Sequence, residues 1–234
     1  MKKKIAKSNE KKTRLHPRNK NRNKYDLTSL VKLNPELKQY ISPNKYGGKS
    51  IEFSNPIAIR ILNKSLLNHY YGIKNWDFPD DNLCPPVPGR ADYIHHTADL
   101  LAENNFGEIP KGDKITCLDI GMGASCIYPI IGTTEYDWKF IASDIDSKSI
   151  DSARKIIESN TIIKNKIEFR LQKNKNLIFK NIVKKEEKID LIICNPPFHS
   201  SKEDAQKSTL RKLRNLSDKK VKNNHLKFAG LNNE

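Results

Sequence analysis

Lys114-Ile115-Thr116-Cys117-Leu118-Asp119-Ile120, running straight into Gly121-Met122-Gly123-Ala124-Ser125, is the stretch on which the fold turns. Apart from Lys114 and Asp119 the first seven residues are apolar or β-branched without alternation, as in a strand covered on both faces of a parallel sheet. Two glycines then let the backbone turn sharply and come close to a ligand before a helix opens. Dinucleotide-binding folds use the same device, so the loop alone does not choose between nucleotide-like ligands. It departs from their fingerprint in one place, because Cys126 stands where the third glycine would be.

Toward the C-terminus a second strand, Trp138-Lys139-Phe140-Ile141-Ala142-Ser143, ends at Asp144-Ile145-Asp146. An acid about 20 residues past the loop accepts hydrogen bonds from both hydroxyls of a ribose, which makes Asp144 and Asp146 candidates. Ser147 can cap the helix that follows, with Ile150, Ala153 and Ile157 inward. Asp119, closing the first strand, suits a methyltransferase, in which that acid faces the methionine end of S-adenosylmethionine. Gly121, Gly123, Ala124 and Ser125 would then cradle the same cofactor. The expected fold class is α/β, a Rossmann-like class I methyltransferase with a doubly wound, mostly parallel sheet.

A further apolar run, Ile189-Asp190-Leu191-Ile192-Ile193-Cys194, leads directly into Asn195-Pro196-Pro197-Phe198. An adenine amine is a poor nucleophile because its lone pair is conjugated into the ring. The Asn195 side-chain oxygen and the Pro196 carbonyl can accept its two hydrogens and so turn the lone pair toward a methyl sulfonium. Pro197 stiffens the loop, and Phe198 offers a face to a flipped base. A general base of matched pKa is not required, since proton loss can follow methyl transfer.

Lysine and arginine number 43 against 27 acids, a net charge of +16. Such an excess favours a polyanionic partner, most commonly nucleic acid. Cys84, Cys117, Cys126 and Cys194 have no CxxC spacing and no clustered histidines, so neither a disulfide framework nor a metal site is expected. The basic N-terminus lacks the apolar run of a secretory signal, and no stretch approaches the ~20 apolar residues of a membrane span. A cytoplasmic monomer without membrane association is expected.

Residues 1–24 carry eleven lysines and arginines against Glu10 alone and read as a disordered basic arm that neutralises phosphates. Residues 25–110 read as a helical extension. Asp26 caps a turn with Leu27, Leu30 and Val31, and Asn34-Pro35 and Asn55-Pro56 each place a capping side chain before a proline. The second opens a helix with Ile57, Ile61, Leu62 and Leu66 on one face and Gly72 as its stop. Cys84-Pro85-Pro86-Val87-Pro88-Gly89-Arg90 is a stiff loop presenting Arg90 just before another helix, on which His95 and His96 are ordinary residues. Residues 111–198 form the cofactor-binding core, and 199–234 are polar and basic without a buried-strand pattern.

These pieces together resemble the bacterial 23S rRNA adenine-N6 methyltransferase F family, relatives of the eukaryotic methyltransferases that act on spliceosomal small nuclear RNA. The resemblance runs from Leu15-His16-Pro17-Arg18-Asn19 through Asn75-Trp76-Asp77 and the segment Pro85–His95. It continues through Asp119–Pro129 and Asn195-Pro196-Pro197-Phe198 to Arg211-Lys212-Leu213-Arg214-Asn215-Leu216. It implies an enzyme that moves a methyl group from S-adenosylmethionine to an adenine N6 amine of 23S ribosomal RNA, free or in a pre-ribosomal particle. It further implies that Arg90 pairs with the cofactor carboxylate, Gly121 lies against the methionine moiety, and Asp144 is the ribose acid. Asn195 and Phe198 match the amine-holding and base-stacking positions. One further contact falls in the segment aligned with residues 172–176. The family's sheet continues beyond its fourth strand, so the resemblance also implies a chain that stops early. The Asn-Pro-Pro-Phe motif alone admits a protein-glutamine methyltransferase, and early termination admits a non-catalytic RNA-binding fragment.

Overall fold

The computed structural model describes residues 14–44 and 47–196. The extension comprises α1 (Leu27–Leu33), a 3-10 segment (Pro35–Tyr40), an antiparallel pair β1 (Ile41–Pro43) and β2 (Lys49–Ile51), α2 (Pro56–Tyr71) and α3 (Val87–Glu103). It is followed by β3 (Thr116–Ile120), α4 (Ile127–Tyr136), β4 (Lys139–Asp144), α5 (Ser147–Glu158), β5 (Ile167–Leu171) and β6 (Leu191–Cys194). The last four strands pair in parallel in the order β5-β4-β3-β6, with β3 at the centre. Helix α4 lies in the crossover from β3 to β4, and α5 in that from β4 to β5. No helix among the described residues is long and apolar enough to cross a membrane.

The caps act where the side chains require. Asp26 accepts from the amides of Thr28 and Ser29, and Asn55 from those of Ile57 and Ala58. Helix α2 stops at Gly72, whose φ of 69° is the left-handed closure glycine supplies. Its buried face begins at Ala58 and runs through Leu62 and Leu66, while Ile57 is 59% exposed. Asn34 makes no capping bond, and the segment after it winds as a 3-10 turn. Helix α3 starts earlier than expected: the Arg90 amide closes the first helical hydrogen bond, on the Pro86 carbonyl, at 3.2 Å. Pro88 is tolerated there because first-turn amides have no helical acceptor. Arg90 therefore sits within the helix rather than in the loop before it.

One continuous core joins the extension to the sheet, uniting Leu30, Leu66, Trp76 and Ile94 with Cys117, Ile130 and Phe140. Trp76, fully buried, donates its indole N–H to the Ser125 carbonyl at 2.9 Å. The glycine loop is thus fastened from the extension, and residues 110 and 111 do not mark a break in packing.

The basic segment corrects the expectation of disorder over its described part. Residues 14–24 lie docked on α3 and α4, with His16, Asn19 and Asn21 buried. His16 Nε2 bonds to Asp99 at 2.7 Å, Arg18 reaches Asp99, Tyr136 and the His95 carbonyl, and Asn19 donates to the Pro88 carbonyl and Asp92. Such bonds offset the cost of burying these polar groups. Residues 1–13 and 199–234 fall outside the described residues.

The crossover from β5 to β6 contains no helix; Ile182 alone is buried against Leu118 and Ile141 on that face of the sheet. Arg170 fastens this crossover, with two hydrogen bonds of 2.6 Å to Glu187 and two of 2.8 and 2.9 Å to Glu168. These charge-assisted bonds hold the Glu187 carboxyl down at about 2.

Candidate cofactor and substrate site

The cavity lies at the carboxyl ends of the parallel strands, where open α/β sheets bind ligands. It has a volume of about 260 Å³ and is bounded by Arg90, the glycine loop, Asp144, residues 172–178 and the end of β6. The loop owes its shape to left-handed backbone at Gly121 (φ 69°) and Gly123 (φ 66°). Its groups are tied down on every side: the Gly121 and Met122 amides donate to the Ser143 carbonyl, and Ser152 donates to the Ala124 carbonyl. Gly121, Gly123, Ala124 and Ser125 all line the cavity.

Two acids that spacing alone leaves equivalent divide here. Asp144 lines the cavity, taking the Gly123 amide on one oxygen at 3.0 Å and the Asp146 amide on the other at 2.9 Å. Each oxygen keeps a lone pair for a ribose hydroxyl. Asp146 instead caps α5, accepting from the amides of Lys148 and Ser149 and the Ser149 hydroxyl. It is absent from the cavity wall, and the cap expected from Ser147 belongs to it.

Arg90 and Asp119 form the charged pole. The Arg90 guanidinium bonds to the Tyr128 hydroxyl at 2.5 Å, while its buried Nε has no partner. Asp119, the residue before Ile120 on β3, is 1% exposed and not on the cavity wall, with neither carboxylate oxygen hydrogen-bonded. Burial first, and the Asp144 charge second, push its carboxyl up to about 8, with Arg90 opposing them. A buried unpartnered carboxylate beside an unpartnered guanidinium nitrogen requires a donor and an acceptor at one place. The α-amino and α-carboxylate groups of an amino acid supply both. These residues therefore fit the methionine end of S-adenosylmethionine.

On the far wall β6 delivers Asn195 and Pro196 to the same cavity, next to Cys194. Pro197 and Phe198 lie outside the described residues. Gln172 gives the 172–178 segment its shape: it donates to the Lys180 carbonyl at 3.0 Å and accepts from the Asn174 amide at 3.0 Å. Lys175, Leu177 and Ile178 of that segment face the ligand space together with Ile145. Sequence reasoning missed Tyr128 and the roles of Trp76 and Gln172. The available signal was the density of aromatic and amide residues around the glycine loop and the β5 end.

Among the described residues His16, His96 and Asp99 bring ligand-type atoms within 4.8 Å of one another. His16 Nδ1 accepts from the Arg18 amide, which leaves the proton on Nε2, facing Asp99, whose other oxygen takes Arg18. The cluster is a latch for the N-terminal segment. His95, read as an ordinary helix residue, is buried beneath it and bonded to the Tyr136 hydroxyl, with burial lowering its pKa to about 4.

Comparison with known proteins identifies the family. A family model described as RNA methyltransferase matches residues 9–234. The chain is 50% identical over 228 residues to "Ribosomal RNA large subunit methyltransferase F" of Serratia proteamaculans, covering 95% of this chain and 67% of that protein. Among solved structures it is similar to the N-terminal domain of human METTL16 in complex with SAH, with a TM-score of 0.68, 30% identity and coverage of 86% of this chain and 78% of that one. The hMettl16 catalytic domain in complex with MAT2A 3'UTR hairpin 6 has a TM-score of 0.67 and 32% identity, with 83% of this chain and 64% of that chain covered. The strand–glycine-loop–acid arrangement, the amino-acid pole and these matches lead to one assignment: the chain belongs to the RNA methyltransferase family, of Rossmann-like class I fold, whose methyl donor is S-adenosylmethionine.

Proposed function

We propose that the protein transfers a methyl group from S-adenosylmethionine to the N6 amine of an adenine in 23S ribosomal RNA. The observation that carries this reading is the meeting of Asn195 and Pro196 with Arg90, the glycine loop and Asp144 in one cavity. Bound there, the cofactor supplies an electrophilic methyl on a sulfonium. Arg90 and Asp119 would hold its amino acid and Asp144 its ribose, with the glycine loop lining the space between them. The Asn195 side-chain oxygen and the Pro196 carbonyl accept the two amine hydrogens, which orients the nitrogen lone pair and stabilises positive charge as it develops. Pro197 and Phe198 complete the base pocket in this reading.

RNA as the substrate class is supported by the net charge of +16 and by the relatives' names. Residues 25–110 act as the RNA-binding extension, and residues 1–24 add counterion release on phosphates. Within the described part, however, Arg18 and Lys20 are engaged by Asp99 and Glu135. The enzyme works as a cytoplasmic monomer on rRNA, free or within a pre-ribosomal particle. The test is methyl transfer from labelled S-adenosylmethionine to 23S rRNA and to assembling particles, followed by nucleoside analysis. N6-methyladenosine is expected. Label in protein glutamine, or cofactor binding without any transfer, would refute the reading.

A further inference from the structure

Arg90 alone does not account for the geometry of the charged pole. An arginine side chain has several free rotations, and a ligand that must immobilise it loses roughly 0.5–1.5 kcal/mol of affinity to that ordering. Here the ordering is built in. Tyr128, 6% exposed, takes one guanidinium nitrogen on its hydroxyl at 2.5 Å, and its ring centroid lies 5.2 Å from the guanidinium carbon. The Tyr93 ring, one helical turn beyond Arg90 on α3, packs against Tyr128 at 5.2 Å between centroids and limits its movement. Tyr128 is the second residue of α4, the helix opened by the glycine loop, so the loop and the arginine are set relative to each other through one side chain. Among the buried donors of Arg90, Nε has no partner.

We propose that Tyr128 is a positioning residue, holding the Arg90 guanidinium in the pose that receives the carboxylate of the cofactor's amino-acid end. This rests on the cofactor reading given above. It predicts discrimination between two ligands with the same nucleoside thioether: S-adenosylhomocysteine, which carries the amino acid, and 5′-methylthioadenosine, which lacks it.

The experiment measures the affinity of both ligands for the wild-type chain, Tyr128→Phe, Arg90→Gln and the double variant, with a thermal melt of each unliganded protein. Tyr128→Phe keeps the ring and removes the hydrogen bond. It is expected to weaken S-adenosylhomocysteine about three- to tenfold and to leave 5′-methylthioadenosine unchanged. In the Arg90→Gln background the same change should cost nothing further for S-adenosylhomocysteine, since there is no guanidinium left to hold. Equal weakening of both ligands, no weakening of either, or an undiminished effect in the Arg90→Gln background each overturns the proposal. Wild-type protein that binds neither ligand would instead defeat the cofactor reading itself, and this proposal with it.

Discussion

Asp119→Asn should make the unliganded protein more stable and a worse methyltransferase. The folded protein holds the Asp119 carboxyl at about 8, whereas an unfolded chain releases that proton near 3.9. Between these values the folded state carries the extra proton, so stability is fully present below about pH 4 and is lost as pH rises toward 8. The ideal slope is about 1.4 kcal/mol per pH unit, or about 4 kcal/mol from pH 5 to pH 8. Relaxation and water entry reduce that, so about 2 kcal/mol is the working figure, equivalent to roughly 4–8 °C in Tm for a domain of this size. Asparagine has nearly the same shape and no charge to bury. Melting both proteins from pH 5 to pH 8 should therefore show the variant gaining on the wild type by that amount. Its affinity for S-adenosylhomocysteine should fall roughly 30-fold or more, because the ammonium loses its buried counter-charge. Wild-type and variant Tm profiles that run parallel in pH would show that Asp119 is not held protonated, and the amino-acid pole would need another explanation.

Asn195→Ala should lower methyl transfer about 100-fold while changing cofactor affinity little, since the amine needs its acceptor only when the base is present; comparable losses in both assays would refute the role. Trp76→Phe removes the hydrogen bond to the Ser125 carbonyl and should cost about 1 kcal/mol of stability in denaturant titrations, with a several-fold weaker cofactor. Gly132→Ala would place a Cβ 2.5 Å from the Phe140 ring and should destabilise by about 1–3 kcal/mol by the same titration. Deleting residues 1–24 should flatten the salt dependence of RNA binding and also lower Tm, because buried His16, Asn19 and Asn21 leave with the charges; an unchanged Tm would show that the docked segment contributes nothing to folding.

The parts of the fold that were legible in the sequence are those governed by local rules. The apolar runs became β3, β4 and β6, and Asp26, Asn55 and Gly72 fixed helix ends through bonds to near neighbours. β5 was not read, because Glu168 and Arg170 interrupt its apolar pattern, and their partners Lys184 and Glu187 lie in the crossover beyond it. The basic segment misled for the same reason. His16, Asn19 and Asn21 have the composition of a solvated tail, and the bonds that fasten them to the fold come from residues some 50 to 80 positions away. Spacing could not separate Asp144 from Asp146; a two-residue difference decides which acid faces the cavity and which caps α5. The glycine loop and Asn195 were legible because backbone freedom and a strand end determine their place. Tyr128 was not, since its role depends on how α3 packs beside α4.

The hydrogen bond from Arg18 to Tyr136 joins groups 118 residues apart. A ribosome adding about 5–20 residues per second makes the first of these roughly 6–24 s before the second. Throughout that interval the newborn chain carries Arg18 and Lys20 without Tyr136 or Glu135, the groups that later hold them. Polyanions in the vicinity then compete with the protein's own α3 and α4 for the segment. The bonds to Asp92 and Asp99 on α3 can form first, and only the closure of Arg18 and Lys20 on Tyr136 and Glu135 must wait until α4 has emerged.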